Sequence, residues 1–150
     1  MTDYLFAYGT LQPGLVPVPM YEVARKLTPI GKGYVRGVLY SVGRYPGAIP
    51  DAHSPHQISG TVVELPEDRD ILRLLDAYEG IDPDSPKTSE YVRERQTVEL
   101  ADGRSVECWF YRCNLPVSPS QIIASGVWPQ EVGAATPSPP IRSHKPMADG

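Results

Sequence analysis

A carboxylate in a place where water should not reach it is the first candidate for chemistry in this chain. Ile71, Leu75 and Glu79 follow one another at four-residue steps, so on a helix Glu79 continues an apolar stripe and faces the core. Gly80 is a natural helix stop, which puts Glu79 in the last turn, where the helix dipole is negative. Burial and dipole both oppose the charged form and should push its pKa upward. A glutamate tuned in this way can lose and regain a proton near neutral pH, as general acid/base catalysis requires. The same position also suits a boundary glutamate that turns to water or caps a neighbour, and spacing alone leaves both readings open.

The second feature is Tyr8-Gly9-Thr10-Leu11, at the carboxyl end of a short apolar run. Gly9 permits backbone conformations that side chains forbid and lets a ligand approach the main chain closely. Consecutive free N–H groups in such a turn form a small anion-binding hollow. An ordinary strand-ending turn would carry the same residues. Asp51, His53 and His56 are metal-ligating types, but Pro50 and Pro55 place them in a loop with no rigid element to fix a coordination geometry. Tyr91, Arg93 and Arg95 alternate along one strand face, where they either meet an acidic substrate group or form a solvated or ion-paired surface worth little individually. Arg36 and Arg44 stay undecided. Arg142, His144 and Lys145 are too short a basic patch to imply a partner.

Several elements must position these residues. Tyr4 to Tyr8 reads as a buried strand stopped by Gly9. After a loop with Pro13, Gly14, Pro17 and Pro19, Met20 to Leu27 permits a short helix with Val23, Ala24 and Leu27 on one side. Gly33 to Val42 is strand-like, with Gly37 marking a bulge or a close approach. Tyr45 to Pro50 is expected to be a turn with at most a brief edge strand. Ile58 to Leu65 reads as a strand. The clearest helix follows: Pro66 suits its first turn, Glu67, Asp68 and Asp70 complement its positive end, and Ile71, Leu74, Leu75 and Tyr78 recur at helical spacing. A polar loop with Pro83 and Pro86 leads to strands Tyr91 to Leu100 and Arg104 to Cys113, joined across Asp102-Gly103 as a hairpin. Ser118 to Ala124 suits a short helix before Gly126-Val127-Trp128. From Pro129 to Gly150 the Pro-rich composition predicts a disordered tail outside a domain spanning 1–128. The fold class is α+β, dominated by antiparallel strands curled into a partly closed barrel with one principal helix.

The bulk composition bounds the function. The 150-residue chain is 41% hydrophobic, enough for one core without staples. A net charge of −4 with mixed signs gives no basic stripe for phosphates, so nucleic acid is not the expected partner. No apolar run approaches the ~18 residues of a membrane span, and Met1 to Tyr4 lacks a signal-peptide pattern. A cytoplasmic enzyme or binding protein is expected. Cys108 and Cys113 lie an odd number of residues apart on one strand, so they face opposite sides and cannot pair with each other. Two packed, reduced thiols are the expected state.

Phe6-Ala7-Tyr8-Gly9-Thr10-Leu11 resembles the opening signature of the γ-glutamylcyclotransferase-like superfamily, in particular its AIG2-like branch. Leu75-Asp76-Ala77-Tyr78-Glu79-Gly80 is similar to that family's second signature, which ends in its catalytic glutamate. Tyr45-Pro46-Gly47, Gly60-Thr61-Val62, Tyr91-Val92-Arg93 and Gly126-Val127-Trp128 resemble weaker landmarks in the right order; Gly47 stands where the family often has alanine. The resemblance covers about Tyr4 to Trp128. It implies a small mixed, mainly antiparallel β-barrel with flanking helices, and an enzyme of the lyase/transferase type that uses no metal and no cofactor. It also implies roles. The amides of Gly9, Thr10 and Leu11 would hold a γ-glutamyl α-carboxylate. Glu79 would shuttle a proton from the substrate's α-ammonium to the leaving amine while 5-oxoproline forms. Tyr8 and Tyr111 would line the site, although both also suit a core. A small γ-glutamyl compound is the implied partner. A non-catalytic γ-glutamyl-type binding or regulatory protein and a pathway-specific γ-glutamyl-removing enzyme remain as alternatives.

Overall fold

The structure is a computed structural model that describes residues 2–12, 14–43, 45–81, 84 and 89–128. The expectations for Pro13, Arg44, Pro83, Pro86 and the 129–150 tail lie outside the described residues. Six strands are present among those described: β1 (Tyr4–Ala7), β2 (Thr28–Val42), β3 (Tyr45–Pro50), β4 (Gln57–Glu64), β5 (Tyr91–Leu100) and β6 (Ser105–Cys113). A short helix α1 (Tyr21–Ala24) continues a 3-10 turn at Val18–Met20, and α2 (Arg69–Tyr78) is the principal helix.

The strands run in the order β1-β4-β2-β3-β6-β5. The sheet closes because β6 also lies parallel to β1, with Leu5 opposite Trp109. The result is a closed five-stranded mixed barrel with β5 as an extra strand, paired along β6 from Tyr91 opposite Cys113 to Glu99 opposite Ser105. Closure sorts the period-two alternation of each strand into two cores. Phe6 and Tyr8 point inward with Leu39, Ala48, Val62, Cys108 and Phe110. Leu5 and Ala7 point outward, beneath Ile71, Leu75 and Tyr78 of α2. The rings of Phe6 and Phe110 stack in the interior at 5.8 Å and 7°. Cys108 joins the inner core and Cys113 the outer one, both as free buried thiols, as their odd spacing predicts.

The largest departure from expectation is β3. Tyr45 to Pro50 is not a turn with a marginal edge but a full strand of the barrel wall, antiparallel to β2 and touching β6 at Ala48 opposite Arg112. Its prolines do not break the ladder, for a reason of parity. The Ala48 N–H donates to the Tyr8 hydroxyl rather than to β2. Pro46 and Pro50 share that parity, so the missing N–H groups fall on the side where β2 asks for none. Gly37 marks a close approach: an added Cβ would meet the Ile49 carbonyl oxygen at 2.5 Å. The helix α2 begins later than expected, with Asp68 as N-cap accepting from the Asp70 N–H at 3.0 Å, which leaves Pro66 and Glu67 ahead of it. The hairpin turns at Gly103, whose N–H bonds the Leu100 carbonyl at 2.9 Å. The stretch after β6 makes only a 3-10 turn, Pro119–Gln121, before Ile122 bridges to Tyr40.

Candidate active site

Glu79 occupies the C-cap of α2, with φ −83° and ψ 1°. The chain leaves the helix through a paired-bond stop. The Gly80 N–H reaches the Ala77 carbonyl at 3.2 Å, and the Ile81 N–H reaches that of Asp76 at 3.0 Å. Gly80 adopts φ +80°, the left-handed conformation this motif needs. Ile81 packs back on the outer core, which holds Leu75. The Glu79 N–H itself bonds the Leu75 carbonyl at 3.0 Å, so the backbone carrying the carboxylate is tied down on both sides.

The turn after β1 faces this helix end. Its closing bond runs from the Gln12 N–H to the Gly9 carbonyl at 3.1 Å. Among the described residues, the turn's own bonding leaves the N–H groups of Gly9, Thr10 and Leu11 unused. The Gln12 side-chain amide ties the turn down further, donating to the carbonyls of Tyr8 at 2.9 Å and Trp128 at 2.8 Å. Thr10 Oγ1 lies 2.7 Å from the Tyr78 hydroxyl, coupling the turn to the residue that precedes Glu79. The reason for a glycine at position 9 differs from part of the expectation. Gly9 is not among the glycines with positive φ. What matters is space, because a Cβ there would come within 3.0 Å of Pro46 Cγ.

Glu79, Tyr8, Gly9, Thr10, Leu11 and Tyr111 line one cleft, with a volume of about 370 Å³ including its mouth. All six candidates read from the sequence are therefore brought together. The cleft wall also contains Tyr45, Pro46 and Tyr91, which sequence reasoning did not assign to it. The spacing of Tyr91, Arg93 and Arg95 offers two readings, a face that meets an acidic substrate group and a solvated or ion-paired face. Tyr91 is not solvated but buried, with its hydroxyl donating to the Pro46 carbonyl at 2.6 Å. The hairpin register held the missing signal. Arg93 pairs with Tyr111, and opposed residues share a face, so Tyr91 had to lie on the same face as Tyr111. Tyr45 and Pro46 carried no such local signal, because only barrel closure brings β3 to the site.

The cleft is rich in phenols whose protons are already engaged. Tyr8 donates to the Tyr111 carbonyl at 2.5 Å and accepts from the Ala48 N–H at 3.2 Å. Tyr111 donates to Asp76 Oδ1 at 2.7 Å. Three of the four cleft tyrosines, Tyr8, Tyr91 and Tyr111, have pKa values raised well above the ordinary tyrosine value, first by burial. The negative charge of Glu79 raises each of them further, which marks it as their shared electrostatic neighbour. Asp76 also accepts from Arg93 Nε at 2.8 Å, the two side chains being only 22% and 25% exposed. The Arg93 and Arg95 guanidiniums lie over the Trp109 ring, 4.3 and 4.2 Å from its centroid, and Arg95 reaches Asp3 at 3.6 Å. These arginines thus form the ion-paired face that was the second reading of their spacing.

Asp51, His53 and His56 do not converge. Asp51 Oδ1 accepts the His53 N–H at 2.9 Å and the Ser54 hydroxyl oxygen takes the His56 N–H at 2.9 Å, so local turn bonds use the segment. Among the described residues no group of three His, Cys, Asp or Glu is arranged to hold a metal. Arg36 donates to the Ser54 carbonyl at 2.9 Å and so serves the same loop. No helix among the described residues is long and apolar enough to cross a membrane.

Residues 5–130 match the family described as gamma-glutamyl cyclotransferase, AIG2-like. Among solved structures, an AIG2-like protein from Mus musculus is 22% identical with a TM-score of 0.69, over 96% of this chain and 99% of that one. YkqA from Bacillus subtilis is also 22% identical with a TM-score of 0.63, over 85% of this chain, which spans only 40% of YkqA. A structure described as a gamma-glutamyl cyclotransferase superposes with a TM-score of 0.58 at 15% identity, over 81% of this chain and 74% of that one. At these identities the likeness concerns the fold. No match is found among curated proteins.

Proposed function

Since this chain belongs to the gamma-glutamyl cyclotransferase, AIG2-like family, we propose that it releases an amine or amino acid and 5-oxoproline from a small γ-glutamyl compound. The observation that carries this reading is the meeting of Glu79 with the Tyr8–Leu11 turn in one cleft. The N–H groups of Gly9, Thr10 and Leu11 bind the substrate α-carboxylate as a backbone anion hollow. Glu79 removes a proton from the α-ammonium. The freed amine attacks the γ-carbonyl, forming the new N–C bond and the five-membered ring. The bond from the γ-carbon to the leaving nitrogen then breaks as Glu79 returns the proton to that nitrogen, and the ring nitrogen, which still carries two hydrogens, gives one up to the departing amine, so that the neutral lactam is left. Nucleophile and electrophile belong to one molecule, so the protein's work is to fold the substrate and to move protons. The ties between Thr10 and Tyr78 and around Gly80 support such a role, because they hold the anion hollow and the carboxylate in one frame.

The test is a panel of γ-glutamyl amines and peptides assayed for 5-oxoproline, on the full chain and on Glu79→Gln. The variant keeps the size of the side chain but cannot cycle a proton, and should lose about 10²–10⁴-fold in turnover, as for removal of a positioned general base. A Glu79→Gln protein with turnover close to that of the parent would sink the assignment.

A further inference from the structure

Asp76 lies one helical turn before Glu79, on the side of α2 that faces the β5–β6 hairpin. Its Oδ1 receives two donors, the Tyr111 hydroxyl at 2.7 Å and Arg93 Nε at 2.8 Å. A carboxylate beside a guanidinium is the acceptor of the pair, so the single phenolic proton of Tyr111 is the one that points to Asp76. The hydroxyl oxygen then has only lone pairs left to offer, and Tyr111 lines the cleft with Glu79. Arg93 is in turn braced on the Trp109 ring at 4.3 Å, so the direction of the hydroxyl is set by a chain of contacts rather than by a free rotor.

We infer that Asp76, held by Arg93, fixes the Tyr111 hydroxyl as a hydrogen-bond acceptor for the α-ammonium of the substrate, and that the cleft thereby selects amine-bearing over deaminated γ-glutamyl compounds. The inference rests on the proposed reading of the cleft and adds to it a specificity-determining residue, Tyr111, and two positioning residues, Asp76 and Arg93. The division of labour follows from polarity. The turn at Gly9 to Leu11 offers donors and suits the α-carboxylate, while the Tyr111 side offers acceptors and suits the ammonium. An acceptor there also keeps the α-nitrogen oriented after it has given its proton to Glu79.

The experiment compares L-glutamate with glutarate, which differ only in the α-ammonium, as ligands for the full chain, Tyr111→Phe and Asp76→Asn. Affinities are measured by calorimetry and folding is checked by thermal melts. The parent protein should prefer glutamate. Tyr111→Phe should weaken glutamate by at least about tenfold, the effect of losing one hydrogen bond to a charged group, and leave glutarate within about twofold. Asp76→Asn should show the same pattern more weakly, because the amide can still accept the Tyr111 proton through Oδ1 but can also turn and donate to the Tyr111 oxygen, which releases the hydroxyl. Equal losses on both ligands, or a preference for glutamate that survives in Tyr111→Phe, overturn the inference. The 5-oxoproline assay on the parent separates the two levels. Turnover with equal losses removes this inference alone. No turnover and no binding of either ligand removes the proposed function and this inference with it.

Discussion

Replacing Gly80 by alanine tests whether the stop of α2 sets the position of the candidate carboxylate. A side chain in the left-handed region costs about 1–2 kcal/mol, and Gly80 sits at φ +80°. Its new Cβ would also meet Glu90 Oε1 at 2.9 Å and Cδ at 3.1 Å, so the Glu90 side chain must move. Gly43 supplies the control: its φ is +72°, and a Cβ there would meet nothing within 4 Å. Gly43→Ala should therefore cost about 1 kcal/mol, the backbone strain alone, and Gly80→Ala about 2 kcal/mol. At about 3 °C per kcal/mol for a domain of this size, the melts should fall by about 3 and about 6 °C. Turnover separates them further. A displacement of order 1 Å at a reacting group can cost as much as ~10²-fold, so Gly80→Ala should lose about tenfold in kcat while Gly43→Ala keeps the parental value. Equal melts and equal kcat for the two variants would refute the claim that the Gly80 stop holds Glu79 in place.

Three further outcomes are expected. Tyr8→Phe strands the Ala48 N–H and the Tyr111 carbonyl in the barrel interior, which should cost about 1–3 kcal/mol; an unchanged midpoint in a urea titration would contradict it. The raised pKa values of Tyr8, Tyr91 and Tyr111 belong to groups that are neutral when protonated. Above pH ~10 the unfolded chain therefore binds fewer protons than the folded one, and stability falls as pH rises. Absorbance at 295 nm should show at least these three of the nine tyrosines resisting ionisation until the protein unfolds; smooth titration of all of them in the folded protein would be the contrary result. A truncation just after Trp128 should match the full chain in melt and turnover. One just before Gly126 should fall clearly, because it removes the carbonyls that accept from Gln12 Nε2 at 2.8 Å and from the Ser59 N–H at 2.8 Å; activity lost in the variant that ends at Trp128, while it stays folded, would place part of the site beyond residue 128.

What the sequence made legible was whatever depends on neighbours along the chain. The four-residue steps from Ile71 to Glu79, the stop at Gly80 and the Asp102-Gly103 turn are local, and each appears where its spacing says. The parity of Cys108 and Cys113 likewise needs only the geometry of one strand. The failures share an opposite cause. Tyr45 to Pro50 has the composition of a turn, and its place in the barrel wall depends on β2 and β6 arriving on its two sides, which no local pattern announces. Gly9 was legible as a special position but not for the right reason, because the space it leaves belongs to Pro46, far along the chain. Tyr91 lay between the two cases: its face followed from the hairpin register, but its burial required the outer core to cover that face.

The parallel contact of Leu5 with Trp109 has a consequence for how the molecule comes into being. The cleft draws on four separate stretches of the chain, around Gly9, Pro46, Glu79 and the β5–β6 hairpin, and the two that flank this seam come from nearly opposite ends of the barrel. Loops of that length are slow to close, because the chain loses its freedom before any contact rewards it. The helix α2 and the β5–β6 hairpin can each form from local contacts and then wait. Neither forms the cleft on its own, since the Tyr8–Leu11 turn sits on one side of the seam and Tyr91 and Tyr111 sit on the other. The cleft is therefore completed in one step with the joining of the seam, and a half-assembled barrel holds only fragments of it.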